Sequence, residues 1–504
     1  MGRAHQTIWS GARLSALNFG DDLWLQAQKN WAIIALIVVA TFVYGYHLGR
    51  QALGPSEAYS ALAAGQKSIL GVARTALEFD PGKPVLYHLL LHWFCRLFGT
   101  SELALRAFSL IFGLISLFLV FAYGRELFGY QVGFAAAATW AFNPLALLLA
   151  RWARMYSMFV AVTLGHVWAM ARLRKRPNGG CILIAAVLGA VMLYTHLAGW
   201  LVIGVDVLVV AREFRHEGYS RSGLALALSL LLFLPFTRVA ATQGKELLWG
   251  HWLDWIGIDH YSSASRAIVA GIAGAGILWL VIGLRGLSES CESVVCCWMY
   301  CIIPILALAV SSVVIRPLFE VRYVAPSFAV AAVVVAWTLN RMGRRARNDV
   351  VCGLVVLFLI SVPFTYAAQD QPWRTIARRI GQGSVDDVIF FESGFFSPAK
   401  VIDPRDNAGF PQGFFAVPFR YYYKGTNPQR ALPGDAPAQD RKLVADAVRE
   451  KGGAWLISGK TKAQAIAELP SGAEFQLDFE HDFSRVLLLH VVHRPLSSGL
   501  SGRD

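Results

Sequence analysis

Long apolar runs recur along this sequence from about residue 31 to residue 368 and then stop. Most are about 16–22 residues long, enough for a helix to cross a bilayer core of roughly 30 Å. In lipid every backbone polar group must find its partner within the protein, so such runs become helices packed against one another. The pattern predicts an α-helical polytopic membrane protein at 31–368. A soluble domain at 369–504 follows, of a size that can hold its own core. Composition agrees: 56% of the 504 residues are hydrophobic and 16% charged, against roughly a quarter charged in a soluble protein.

The candidate spans are 31–48, 103–123, 132–150, 155–171, 181–194, 198–211, 224–239, 267–284, 294–315, 323–339 and 350–368. One further run, 84–98, is short, starts at Pro84 and carries His88, His92 and Arg96. Basic residues decide how to treat it, because short cytoplasmic loops collect Lys and Arg. If 84–98 does not cross, the loops facing the same side as the N-terminus hold Arg125, Arg172, Arg174, Lys175, Arg176, Arg212, Arg215, Arg221, Arg285, Arg341, Arg344, Arg345 and Arg347. If it crosses, all of these flip outside. The run is therefore expected to be a juxtamembrane helix lying in the interface.

This gives about eleven spans. Residues 1–30 are expected to be a cytoplasmic lead-in and not a signal peptide, since they lack an early apolar core. The outer segments are then 49–83, 151–154, 195–197, 240–266, 316–322 and the soluble domain. The net charge of +13 is accounted for by the basic loops, so nucleic acid is not expected as a partner; the bilayer is.

Residues 369–504 read as α/β. Helical patterns at 373–381 and 439–451 alternate with short apolar runs at 388–391, 454–458, 475–479 and 486–492 that suit buried strands. Residues 395–423, rich in Phe, Tyr and Pro, are expected to be a loop resting on the membrane or over a site. None of the seven cysteines falls in this domain. Cys291, Cys296, Cys297 and Cys301 are spaced closely enough to suggest a metal. However, the last three lie in an apolar run, where Cys acts as a small hydrophobe. His88 and His92, at i and i+4, share a helix face and carry a second, weak metal signal.

The polar residues that suit chemistry gather in the outer segments. Glu57, Asp80 and Lys83 lie in the first: an acid there can take a proton from an attacking hydroxyl, and a Lys can neutralise a phosphate. Arg151, Arg154 and Tyr156 follow in the second, then His196, then Glu320, Arg322 and Tyr323. Within the spans the ionisable groups singled out are Arg106, His166 and Asp206. A transporter usually keeps such groups near the midplane, so outer-end clustering favours an enzyme working at the interface.

Several stretches in order resemble the GT-C membrane glycosyltransferases: SEAYSAL at 56–62, DPGKPVLY at 80–87, FGTSELALR at 98–106, GRELFG at 124–129, ARMYS at 153–157, LYTH at 193–196, RY at 322–323 and DQPWR at 370–374. The likeness is to the bacterial branch related to protein mannosyltransferases, aminoarabinose transferases and lipopolysaccharide galacturonosyltransferases. It implies transfer of a sugar from a polyprenyl-phosphate donor to a lipid, polysaccharide or protein acceptor on the periplasmic side of the inner membrane. It further implies Glu57 and Asp80 as catalytic acids, and Lys83, Arg154, Arg322 and Tyr323 as donor-phosphate contacts. Tyr59, Tyr156 and His196 are implied as substrate contacts, and a divalent metal at the first-loop acid is allowed for.

Two family carboxylates are replaced, one by Ser56 and one by Trp152. A polysaccharide polymerase or ligase of related shape, and a non-catalytic glycan-binding or assembly protein, are the alternative readings.

Overall fold

In the computed structural model, residues 31–79, 83–217, 220–249, 292–314, 319–368, 371–392, 415–432, 437–467, 469, 474–481 and 486–492 are described. Asp80, Cys291, the expected span at 267–284 and most of the expected loop at 395–423 lie outside them.

The membrane part is a bundle of helices. Among the described residues five are long and apolar enough to cross a bilayer, namely Glu102–Phe128, Arg221–Lys245, Glu292–Ser312, Val321–Asn340 and Arg345–Ala367. A sixth appears if the pair Tyr130–Ala141 and Pro144–Ala150 counts as one. The shorter helices Trp31–Gly45 and Gly179–Thr195 are also apolar. Large side chains such as Phe42, Phe118, Leu183, Leu231, Leu357 and Phe364 are exposed on the bundle, as expected of surfaces solvated by acyl chains.

Local sequence sets the helix ends. Ser101 caps Glu102–Phe128 by accepting from the Ala104 amide at 3.3 Å, and Gly129, at φ 89°, terminates it. The next helix leaves at once and packs so closely that a Cβ on Gly133 would lie 2.6 Å from the Phe121 carbonyl oxygen.

The sequence led us to expect one span over 132–150. Instead the chain bends by 66° between Tyr130–Ala141 and Pro144–Ala150. Pro144 offers no N–H and disfavours helix for the residue before it. Asn143 accordingly becomes the cap of a new helix, accepting from the Leu145 amide at 2.9 Å.

Run 84–98 forms the helix Leu86–Phe98 of 13 residues, about 20 Å long at 1.5 Å per residue and so shorter than a bilayer core. His88 and His92 both point inward and are buried. The Nδ1 of His92 lies 2.8 Å from the Ala64 carbonyl oxygen, tying this helix to Pro55–Ala64. Cys296, Cys297 and Cys301 are buried on Glu292–Val314.

The C-terminal part is a five-stranded mixed sheet. Strands β1 (Val388–Glu392), β2 (Gln429–Ala431), β3 (Gly453–Ser458), β4 (Glu474–His481) and β5 (Val486–Val492) lie in the order β2-β1-β3-β5-β4. β1 runs parallel to β2 and β3, and β5 antiparallel to β3 and β4. β1 and β3 are buried along their whole length, which is why they read as unbroken apolar runs. Trp373–Gly381 and Ala416–Tyr422 cover one face, with Trp373, Ile376, Ile380 and Phe419 packed on Phe391 and Ile457. Pro437–Lys451 covers the other through Val444, Ala447 and Val448.

Ala416–Tyr422 corrects the loop expected at 395–423: its Phe419 is a core residue, so this aromatic stretch packs as a helix. Tyr421 and Tyr422 face the membrane part, where Tyr421 donates to the Thr100 carbonyl oxygen at 2.5 Å.

Two ends of the bundle follow from the contacts. Thr100, the segment after Trp31–Gly45 and the C-terminal domain meet at one end. At the other, Arg347 bonds Gln131 at 2.6 Å and Lys175 bonds the Glu126 carbonyl oxygen.

Candidate active site

The site grows from a bend. His47 has φ 54°, the left-handed region that ends the first helix, and the chain then runs without regular structure until Pro55. Unpaired backbone in such a stretch needs donors. Arg106 supplies them from one turn inside Glu102–Phe128. Its Nη1 donates to the carbonyl oxygens of Leu48 at 3.0 Å and Gln51 at 2.8 Å, and its Nη2 to that of Ala52 at 3.0 Å.

The same guanidinium grips Glu57, from Nε at 2.9 Å and Nη2 at 2.7 Å. Glu57 also accepts from the Gly54 amide at 2.9 Å, capping its own helix, and from the Ala153 amide at 2.9 Å. Each carboxylate oxygen thus has two donors, and the residue is 4% exposed. Burial by itself pushes this carboxyl up, but the charge and bonds of Arg106 and the two amides outweigh it and hold Glu57 below the usual carboxylate range. A dication at Glu57 does not fit this arrangement, because the guanidinium already occupies the carboxylate. Among the described residues no group of three His, Cys, Asp or Glu side chains is arranged to hold a metal.

The Ala153 bond fixes the second outer loop beside the first. Arg154 Nη1 donates back to the Ser56 carbonyl oxygen at 3.1 Å. Beyond it lies a cluster of rings and cations. The Arg322 guanidinium carbon lies 5.3 Å from the Trp152 ring centre, 5.4 Å from Tyr156 and 5.6 Å from Tyr323. Arg154 lies 6.0 Å from Tyr156. Tyr156, His196 and Tyr323 pack mutually, with centroids 5.6 Å, 6.2 Å and 5.0 Å apart. Phe159 closes over His196 at 5.1 Å. Lys83 is within electrostatic reach of the Tyr323 hydroxyl. Arg322 also pairs with Glu320 at 3.0 Å.

Of the residues singled out in the sequence, Arg154, Tyr156, His196, Arg322 and Tyr323 therefore converge, and the charge of Lys83 acts on Tyr323. Glu57 stands behind them as an anchor. Tyr59 packs with Ala58 and Val417 of the C-terminal domain. Asp80 lies outside the described residues.

Arg106 and Trp152 are not among the site residues expected from the sequence. Arg106 carried a signal, being an arginine inside an apolar helix. Trp152 carries none, since the resemblance marks it only as the replacement of a carboxylate.

Residues 82–238 match the profile of the dolichyl-phosphate-mannose-protein mannosyltransferase family, a stretch that holds Lys83, Arg154, Tyr156 and His196. The structure is similar to that of ArnT from Cupriavidus metallidurans bound to undecaprenyl phosphate. The TM-score is 0.57 at 12% identity, covering 94% of this chain and 99% of that one. This chain has the GT-C membrane glycosyltransferase fold. The apo state of the same ArnT gives 0.56 at 13% identity, covering 92% and 98%. The Archaeoglobus fulgidus oligosaccharyltransferase complex with Zn and sulfate gives 0.52 at 11%, covering 88% and 70%. No curated protein matches the sequence. At these identities the GT-C likeness is one of fold, and the chemistry is argued from the cluster itself.

Proposed function

We propose that this protein is a glycosyltransferase that moves a sugar from a polyprenyl-phosphate-linked donor to a lipid, polysaccharide or protein acceptor. One observation carries the reading: Arg154 and Arg322 converge with Tyr156, His196 and Tyr323 beside the ends of membrane helices. Two guanidiniums, with Lys83 as a third cation expected from the sequence, suit a lipid-linked phosphate that enters from the bilayer. The rings suit the faces of a sugar. The similar ArnT structure holds undecaprenyl phosphate, a lipid of that chemistry.

Displacement at the anomeric carbon puts charge on the departing phosphate, and preorganised cations stabilise that charge as it develops. Arg322 has five N–H donors in a planar fork, enough to keep Glu320 and still reach a phosphate oxygen. The incoming hydroxyl needs an acceptor for its proton. Glu57, with four donors already on it, serves this reading as a positioning residue. Asp80 remains the candidate base from the sequence, and Glu320 is the carboxylate that accompanies the described cluster.

In this reading the chain makes about eleven crossings of a bacterial inner membrane, with residues 1–30 cytoplasmic. The clustered end and residues 369–504 are then periplasmic, the soluble domain following the membrane domain of 31–368.

Purified protein incubated with radiolabelled polyprenyl-phosphate sugars and cell-envelope acceptors should transfer label. Arg154→Ala and Arg322→Ala should each lower the rate by about 10²-fold or more, the scale of losing one charge-stabilising donor. Transfer from no donor, or transfer indifferent to both substitutions, would overturn the proposal.

A further inference from the structure

Five consecutive backbone carbonyls, from Leu48 to Ala52, are captured by two arginines from two different domains. Arg106 of the membrane part takes those of Leu48, Gln51 and Ala52. Arg374, in the first turn of Trp373–Gly381, takes the two between them. Its Nη1 donates to Arg50 at 2.5 Å and its Nη2 to Gly49 at 3.2 Å.

Three further contacts fix Arg374 and the end of this segment. Arg374 is ion-paired with Glu102 at the head of Glu102–Phe128. Its guanidinium carbon lies 5.5 Å from the centre of the Tyr422 ring. The Tyr422 hydroxyl in turn accepts from the Leu53 amide at 2.7 Å. The gripped segment leads directly into Gly54 and Ser56, and the Ser56 carbonyl is what Arg154 bonds.

An ion pair as exposed as Arg374–Glu102, with side chains 37% and 15% accessible, stabilises a protein little. Its geometry is another matter. The planar fork meets two adjacent carbonyls and a carboxylate at once, which the single ammonium of a lysine does not reproduce. Simple docking of a domain does not require that its anchors close on the irregular segment that leads to Ser56, the acceptor for Arg154.

We propose that Arg374 and Tyr422 are positioning residues through which the C-terminal domain completes the donor-phosphate site, holding 49–53 so that Ser56 aims Arg154. The inference rests on the donor-phosphate reading above. It makes the soluble domain a working part of the membrane active site.

The test uses the full chain in detergent, with undecaprenyl phosphate alone as the probe, since that lipid phosphate is independent of the sugar. Affinity, melting temperature and hydrogen exchange at the Leu53 amide are measured for wild type, Arg374→Met, Arg374→Lys and Tyr422→Phe. Arg374→Met should weaken binding about tenfold or more, the scale of lost hydrogen bonds from a charged group. Arg374→Lys keeps the charge opposite Glu102, so it should retain the melting temperature and still bind more weakly. Tyr422→Phe should speed exchange at Leu53 and lower affinity by a smaller factor. If Arg374→Met does not fold, the Lys and Phe variants decide.

Wild-type binding with unchanged affinity in Arg374→Lys and Tyr422→Phe overturns the inference, leaving Arg374 a docking contact. Failure of wild type itself to bind overturns the functional reading, and this inference with it.

Discussion

Arg106 meets Glu57 at 2.7 Å and His166 meets Asp206 at 3.0 Å, and all four side chains are almost wholly buried. The first pair joins Glu102–Phe128 to the first turn of Pro55–Ala64, and through Arg106 to the irregular backbone that leads into it. Its remaining bonds go to amides and carbonyls of the two outer loops. The second joins helices to helices. The Nδ1 of His166 on Tyr156–Lys175 lies 2.9 Å from the Ala185 carbonyl oxygen on Gly179–Thr195. Asp206 on Gly199–Glu217 also accepts from Tyr300 on Glu292–Val314, and Ser327 donates to the Tyr300 carbonyl at 2.9 Å.

A carbonyl only accepts, so His166 Nδ1 carries a hydrogen and Nε2 faces the carboxylate. Buried pairs yield little net stability over apolar replacements, while breaking one by removing a single partner is costly. The comparison teaches that the same device fixes different things: a loop beside the site in one region, helix registry in the other. The His166–Asp206 pair is bonded to helices on every side, as a packing element is.

The strongest break of this comparison is Glu57→Ala. It strands Arg106 and two amides, and should cost about 3–5 kcal/mol of stability. Because the loops carrying Ser56 and Arg154 come loose, sugar transfer by the folded fraction should fall by about 10²-fold or more, the scale of misplacing a positioning group. Thermal unfolding and initial rates check both. Full activity in the folded fraction would mean that the outer pair, too, only holds the fold.

Next is Asp206→Leu, which should destabilise by a similar amount, about 3–5 kcal/mol, yet leave transfer per folded molecule nearly unchanged. Adding His166→Leu should recover much of the loss, since a matched apolar pair replaces a matched ionic one. A double variant no better than the single would show that the polar pair is needed for registry.

The smallest effect is that of acid. Glu57 is held below its ordinary value in the folded chain. Its contribution is therefore complete above the unfolded pKa, about 4.3, and is lost as the pH falls through the lower folded value. Stability measured below about pH 4 should fall with a component that Glu57→Gln lacks. An identical acid profile in the two proteins would remove Glu57 as its source.

Much of the bundle was legible because length and apolarity are enough to specify a membrane helix. Glu102–Phe128, Glu292–Val314 and Arg344–Ala368 each enclose or nearly enclose an expected run. The bend at Asn143 and Pro144 was written in the sequence, but apolar composition on both sides concealed it. Helix Ala416–Tyr422 was missed because an aromatic segment containing Pro418 resembles a loop until Phe419 finds a sheet to cover. Tyr59 is implied as a substrate contact by the family resemblance, two residues after Glu57. On a helix that spacing faces elsewhere, here toward Val417.

The sequence by itself determined that the chain enters a membrane repeatedly, carries an α/β domain after it, and gathers cations and rings at one end of its helices. Those features are local, set by runs, caps and composition. Only the tertiary structure decided what each charge does. Arg106 and Arg374 lie 268 residues apart and share one stretch of backbone. Glu57 is an anchor because four donors from three segments converge on it. A carboxylate's role depends on which donors reach its oxygens, and that is settled by packing between distant segments, which no spacing along the chain encodes.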